Sequence, residues 1–187
     1  MTLAPWRPTL ARALHRNRSR AYCRYMQLAT INSDGRPSNR TVVFRGFADD
    51  ALQMVTDGRS EKVRQIQAYP WAEACWYFTV TREQFRIAGQ LTLMGPDSLE
   101  TQDKRLQVWQ SLSANARQQF YWPHPGQARS DAAVFEPVEP ASQPPDSFYV
   151  MLLAVNRVEH LALRGSPQER HIYELTADGW GMTAVNP

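Results

Sequence analysis

Apolar and polar residues alternate with a period of two along most of this chain, in short runs separated by turn residues. The clearest run lies between Gln84 and Met94, with Phe85, Ile87, Gly89, Leu91 and Leu93 on one side and Gln84, Arg86, Ala88, Gln90 and Thr92 on the other. A period of two marks a strand with two distinct faces. Similar runs predict strands at Tyr25–Ile31, Asn39–Phe47, Leu52–Thr56, Trp71–Val80, Phe148–Leu163, Arg170–Leu175 and Trp180–Val185. Asp34-Gly35, Gly95-Pro96, Arg164-Gly165 and Asp178-Gly179 supply turns, because glycine accepts the backbone angles that tight turns need. The Leu52–Thr56 strand is expected to pair antiparallel with the strand before it, across the short Ala48–Asp50 turn.

Helical patterning interrupts the strands in three places. Residues 1–20 read as an amphipathic N-terminal helix from about Thr9, with Pro8 just before it. Ser60–Ala68 reads as a short helix, capped by Ser60, with Val63 and Ile66 inward and Tyr69-Pro70 as its stop. Asp97 or Ser98 is expected to cap a third helix running to about Gln119, with Leu99, Leu106, Trp109 and Leu112 on its buried side. Residues 127–147 shift to Pro, Ser, Asp and Glu and read as a long loop; loops of that length are usually lids or mobile segments. The count of six to eight strands joined by short turns, with two or three inserted helices, predicts a β-rich fold: an antiparallel barrel with helices outside it.

The bulk numbers narrow the class. A length of 187 residues favours a single domain over 1–187. Such a domain buries roughly 70% of its unfolded surface and needs neither disulfide nor metal for its core. Cys23 and Cys75 are far apart and read as buried free thiols, consistent with a reducing, cytoplasmic compartment. The four histidines lack metal-ligand spacing, so no metal site is expected. With 21 basic and 18 acidic residues, the net charge of +3 is not the dense basic stripe of a nucleic-acid binder. No apolar run has the length of a membrane span. The N-terminal segment lacks the apolar core of a signal peptide; a transit peptide is a weaker alternative for it, because it has few serines.

Candidate chemistry gathers between Arg40 and Lys62. Arg40, Thr41 and Arg45 lie on one strand with Val42 and Val43; Val55 and Thr56 end the next, and Arg59, Ser60 and Lys62 follow at a helix start. A helix N-terminus offers free N–H groups, and arginine grips phosphate oxygens in pairs, so this stretch is a candidate phosphate seat. The bland alternative for Arg40 and Arg45 is a solvated pair on an edge strand. The cluster Trp71, Trp76, Tyr77 and Phe78 reads as core rather than as a ligand platform. The Trp122-Pro-His-Pro-Gly126 run is either a rigid wall of the site or a simple helix stop.

Taken together, Arg40-Thr-Val-Val-Phe-Arg45, Arg59-Ser-Glu-Lys62, Arg82-Glu-Gln84 with Gly89, and Arg170 in the final hairpin resemble the split-barrel FMN-binding proteins of the pyridoxamine-phosphate-oxidase type. Trp122–Gly126 and Ala74-Cys-Trp-Tyr-Phe78 resemble a divergent branch of that family. The resemblance implies a six-stranded antiparallel split β-barrel, and a homodimer with two FMN sites between its subunits. It implies that Arg40 and Lys62 hold the FMN phosphate, with Arg59 and Ser60 beside them. Val42 and Val43 would pass the ring, Val55 and Thr56 the ribityl chain or ring edge, and Gln84 would hydrogen-bond the isoalloxazine. Gln127 and Arg170 would come from the partner subunit.

The departures from the family bear on substrate. Ser166-Pro167-Gln168 stands where the oxidases carry an Arg-x-His pair. Trp109 and Ser113 stand where they carry a substrate-binding Tyr and Arg, Leu161 replaces a tryptophan that leans on the flavin, and Arg45 replaces a substrate-binding lysine. These matches imply an FMN-dependent oxidoreductase with a different or altered small-molecule substrate site. Alternatives are a non-catalytic flavin- or haem-type binding split barrel and, third, a barrel that binds single-stranded nucleic acid through Trp76, Tyr77 and the arginines.

Overall fold

The computed structural model describes residues 3–187. The strands are β1 (Tyr25–Ile31), β2 (Pro37–Val43), β3 (Gly46–Ala48), β4 (Ala51–Asp57), β5 (Trp71–Phe78), β6 (Glu83–Met94), β7 (Phe148–Ala162), β8 (Glu169–Thr176) and β9 (Gly179–Val185). All form one antiparallel sheet in the order β2-β1-β5-β6-β7-β4-β3, with the β8-β9 hairpin added beside β7. This is the antiparallel split barrel, with nine described strands where the periodicity predicted six to eight.

The predicted pairing of the second and third runs is corrected. The Asn39–Phe47 run breaks at Phe44-Arg45, and only the short β3 pairs with β4. β2 pairs with β1, and β4 pairs with β7. Two strands adjacent in sequence therefore lie near opposite ends of the sheet, which curls until β2 and β4 approach each other. The barrel is split along that seam.

The period-two faces behave as the sequence demands. Met26, Leu28, Ala74, Trp76, Phe85 and Ile87 are wholly buried inside the barrel, each such large side chain contributing about 1.5–3 kcal/mol of burial. Helix α1 (Arg7–Asn17) begins two residues earlier than predicted, with a proline in its first turn, and closes the barrel with Leu10 and Ala13 behind Trp6. The aromatic cluster divides by face. Trp76 and Phe78 are core, whereas Trp71 and Tyr77 are 49% and 43% exposed on the outer face of β5. Cys23 is buried, Cys75 is half-buried, and both are free thiols.

Gly89 has a clear packing reason. The β6–β7 register shifts between Ala88 and Gly89, and a Cβ there would lie 2.0 Å from the Ala154 carbonyl oxygen. Only glycine lets the two backbones approach so closely at this bulge.

Outside the barrel, α2 (Glu61–Ala68) follows β4, and α3 (Gln102–Ser111) and α4 (Ala114–Gln118) replace the single third helix that was predicted. The break falls at Leu112, whose backbone is extended, and Ser113 restarts the helix by accepting a hydrogen bond from Ala116 N. The start is corrected too: Leu99–Thr101 is a 3-10 turn, and α3 begins after it without an Asp97 or Ser98 cap. Trp109 and Leu112 are buried in a second apolar cluster with Phe120, Phe148 and Val150, and Leu106 is half-buried; the Leu99 side chain lies outside the described residues. This cluster fixes α3 and α4 against the outer side of the seam.

Candidate functional site

A cavity of about 460 Å³ opens at the seam. Its near wall is Thr41, Val42, Val43 and Arg45 from β2 and its extension, with Val55, Thr56 and Lys62 from β4 and the start of α2. Its far wall is α4 with the segment after it, including Gln119, Phe120, Trp122, His124, Gln127, Arg129 and Phe135. The Trp122–Gly126 run is thus a wall of the site. It is packed by Phe135, which meets the Trp122 ring edge-on at 5.8 Å and carries the Arg129 guanidinium 4.2 Å above its centroid.

Lys62 closes one end. Its ammonium donates to Thr56 Oγ1 at 3.1 Å and to Ser60 Oγ at 3.0 Å, and among the described residues it forms no ion pair. Burial, and next the charge of Arg40, push its pKa below the ordinary lysine value of 10.5. Ser60 occupies the N-cap position of α2 but does not cap it. Its hydroxyl donates to Asp57 O at 2.7 Å and so faces Lys62. Two hydroxyls and a half-buried ammonium converge there; the Asp57 carboxylate, whose charge Lys62 feels, is paired with Arg59.

Arg40 backs this end without lining the cavity. Its guanidinium donates to Leu28 O at 3.2 Å and Gln65 Oε1 at 2.8 Å, and also bonds Thr30 Oγ1 at 2.5 Å. Burial lowers its pKa, with Glu61 opposing. Arg45 lines the cavity, and its buried Nε has no hydrogen-bond partner among the described residues. Burial, then the charge of Arg24, lower its pKa.

Arg59, expected beside the phosphate, is held by groups of the protein itself. It forms a fork with Asp57, Nη2 to Oδ2 at 2.6 Å, and donates from Nη2 to Trp122 O at 2.9 Å. The Asp57 hydrogen bond raises its pKa. Arg59 therefore ties the turn before α2 to the far wall. Tyr149, paired with Thr56, fixes the same turn from below: a Cβ on Gly58 or Gly95 would fall 2.2 or 2.4 Å from its ring.

Eight of the expected residues meet at this cavity: Thr41, Val42, Val43, Arg45, Val55, Thr56, Lys62 and Gln127. Gln127, expected from a partner subunit, already lines the cavity within one chain. Gln84 and Arg170 do not reach it. They lie in one cross-strand row on the outer face, where Tyr77 pairs with Gln84, Gln84 with Leu161, and Leu161 with Arg170. The far-wall residues Gln119, Phe120, Arg129 and Phe135 were not foreseen. Only the Trp-Pro-His-Pro-Gly run gave a local signal for that wall.

The chain's likeness to known proteins agrees with this geometry. Residues 3–95 match the family described as pyridoxamine 5'-phosphate oxidase, FMN-binding domain. The pyridoxine/pyridoxamine 5'-phosphate oxidase 2 of Arabidopsis thaliana is 36% identical over 99% of this chain and 98% of its own. The chain belongs to this oxidase family. Its cofactor is FMN. The dihydrophenazinedicarboxylate synthase of Pseudomonas chlororaphis is 31% identical over 88% of this chain and 75% of its own. Among solved structures, a pyridoxamine 5'-phosphate oxidase-related, FMN binding protein from Nostoc punctiforme PCC 73102 superposes with TM-score 0.96 at 51% identity, with all of both chains covered. PhzG from Burkholderia lata 383, solved with tetrahydrophenazine-1-carboxylic acid, shares the fold, with TM-score 0.84 at 21% identity over 100% of this chain and 94% of its own.

The residues present fit the FMN of this family. The phosphate is close to a dianion, and the Lys62 end offers it an unpaired cation and hydroxyls, with Arg40 behind. Val42, Val43 and Val55 offer apolar surface to a flat ring.

Proposed function

We propose that the protein is an FMN-dependent oxidoreductase acting on a planar, anionic small molecule, in a site that does not bind pyridoxamine phosphate as the family's oxidases do. The Lys62 end carries the cofactor half of this reading, because a half-buried ammonium whose hydrogen-bond partners among the described residues are two hydroxyls suits an anion. Bound FMN supplies hydride acceptance. The chain's own residues bind, orient and exclude water. Lys62, Thr56 and Ser60 hold the phosphate, and Val42 and Val43 support the ring.

The substrate half rests on the far wall. Trp122, Phe120 and Phe135 give flat apolar surface, Arg45 and Arg129 give guanidinium donors, and His124 gives an imidazole. The one carboxylate lining the cavity, Asp57, is neutralised by Arg59. The positions that match the oxidases' substrate contacts are spent otherwise. Trp109 is wholly buried, with its indole N–H donating to Ala141 O at 3.0 Å, and Ser113 caps α4. Gln84 and Arg170, which the family resemblance assigns to the cofactor, sit on the outer face, away from the cavity. This supports a homodimer in which one subunit's Gln84 and Arg170 complete its partner's site.

The likeness to the Arabidopsis oxidase favours a second reading, ordinary pyridoxamine phosphate oxidation with replaced contacts. Turnover of pyridoxamine phosphate, followed as oxygen uptake by the FMN-loaded protein beside a panel of aromatic carboxylates, separates the two. We expect little or no oxidation of pyridoxamine phosphate; robust turnover would favour the second reading.

A further inference from the structure

On the outer face, three arginines surround one carboxylate. Glu159 on β7 is only 8% exposed. Its Oε2 accepts from Arg170 Nη2 at 2.5 Å and from Arg86 Nη1 at 3.4 Å, and its Oε1 accepts from Arg157 Nη1. The three arginines differ in what else they hold. Arg86 also forms a fork with Glu73, at 2.7 and 3.1 Å. Arg157 also donates to Glu174 at 2.9 Å. Among the described residues Arg170 pairs with Glu159 alone. It therefore uses one of the five N–H donors of a guanidinium and keeps the rest.

The register explains the geometry. Glu159 lies opposite Ile172, and Arg170 opposite Leu161, so Glu159 and Arg170 are diagonal neighbours on one face. The diagonal bond draws the guanidinium along the sheet toward Glu159, while Leu161 lies directly opposite Arg170 and Gln84 is next in the same cross-strand row. Burial alone would raise the Glu159 carboxyl, but the hydrogen bonds from Arg170 and Arg157 and the charge of Arg86 hold it below its usual value. A carboxylate so held stays charged at neutral pH and keeps its grip on Arg170.

We propose that Glu159 is a positioning residue: it fixes Arg170 so that the arginine's free donors point outward from β8 to meet the flavin of a second copy of this chain. The proposal rests on the dimeric reading above, in which Arg170 reaches the partner's cofactor. Arg86 and Arg157, each tied to a second carboxylate, anchor Glu159 from both sides. The arrangement would cost desolvation if any member were missing, since a buried carboxylate is stable only when its oxygens are hydrogen-bonded.

The test compares wild type with Glu159→Gln, Arg170→Gln and the double variant, reading FMN affinity by fluorescence quenching and the midpoint potential of the bound flavin. Arg170→Gln should weaken FMN binding by about tenfold, the scale of one charge-assisted hydrogen bond, and lower the potential. Glu159→Gln should move both in the same direction, and the double variant should be no worse than Arg170→Gln alone. Glu159→Asp, which keeps the charge on a shorter arm, should recover part of the loss. If Arg170→Gln shifts both quantities while Glu159→Gln shifts neither, or if the two losses simply add, the positioning role is overturned and the dimeric reading stands. If Arg170→Gln shifts neither, the dimeric reading itself fails and takes this proposal with it. Thermal unfolding of the FMN-free variants separates a general loss of folding from the expected loss at the cofactor.

Discussion

Lys62 holds its charge where water reaches it poorly, and that sets what its removal does. In the FMN-free protein its ammonium has only Thr56 and Ser60 for partners, so Lys62→Ala should leave stability unchanged or slightly raised, while weakening FMN binding by about 1.5–3 kcal/mol. Arg40→Ala should do both kinds of harm. It leaves Thr30, Gln65 and the Leu28 carbonyl short of a donor, costing about 1–3 kcal/mol of folding stability as well as cofactor affinity. Denaturant titration and FMN titration of both variants check the contrast. A pH effect follows from the same residue. The pKa of Lys62 is lowered in the folded protein, so between that pKa and 10.5 the unfolded chain binds more protons, and FMN-free stability rises with pH across that window. FMN binding does the reverse. The phosphate restores the proton to Lys62, so affinity falls as pH rises through the same window. Calorimetry in buffers of different ionisation enthalpy should show proton uptake on FMN binding there, absent in Lys62→Ala. Little of this was legible in sequence. The residue types at 56–62 mark an anion site, but a sequence does not show that Asp57 and the Trp122 carbonyl hold Arg59.

At the scale of elements, alternation located nearly every strand, because a strand with one buried face must repeat every second residue. β6 shows it best, with its predicted inward residues Phe85, Ile87 and Leu91 buried. The misses occur where long-range packing decides. Nothing local predicted the extended Leu112 that divides α3 from α4, since the break lets Trp109 and Phe120 meet edge-on in one cluster. Nor did the 42–55 run predict that β2 would leave β4 for β1. Gly89 carries the clearest test here. Gly89→Ala should destabilise the protein by about 3 kcal/mol or more, because the added Cβ meets the Ala154 backbone rather than a flexible side chain. Chemical denaturation of the variant measures it.

At the scale of the molecule, the outer sheet face joins Trp71 and Tyr77 to the row of Gln84, Leu161 and Arg170. Exposed aromatics beside a charged ladder suit an interface with a second copy. Tyr77→Asp should shift the proposed dimer toward monomer and lower FMN affinity in step with dissociation, and sedimentation velocity with FMN titration at several protein concentrations reads both. Neighbours along the chain suffice to set the strand period, the turn positions, and a cluster of cations and hydroxyls from Arg40 to Lys62. Tertiary structure alone decided how these parts meet. Curling of the sheet parted β2 from β4 in pairing yet brought them together across the seam, and α4 with the Trp122–Phe135 segment became the far wall. The physical reason is that such contacts join residues far apart in sequence, and their energy comes from burial and charge satisfaction in three dimensions. For that reason the cation cluster was visible as a candidate phosphate seat, while the partners of Arg40, Arg59 and Arg170 were not.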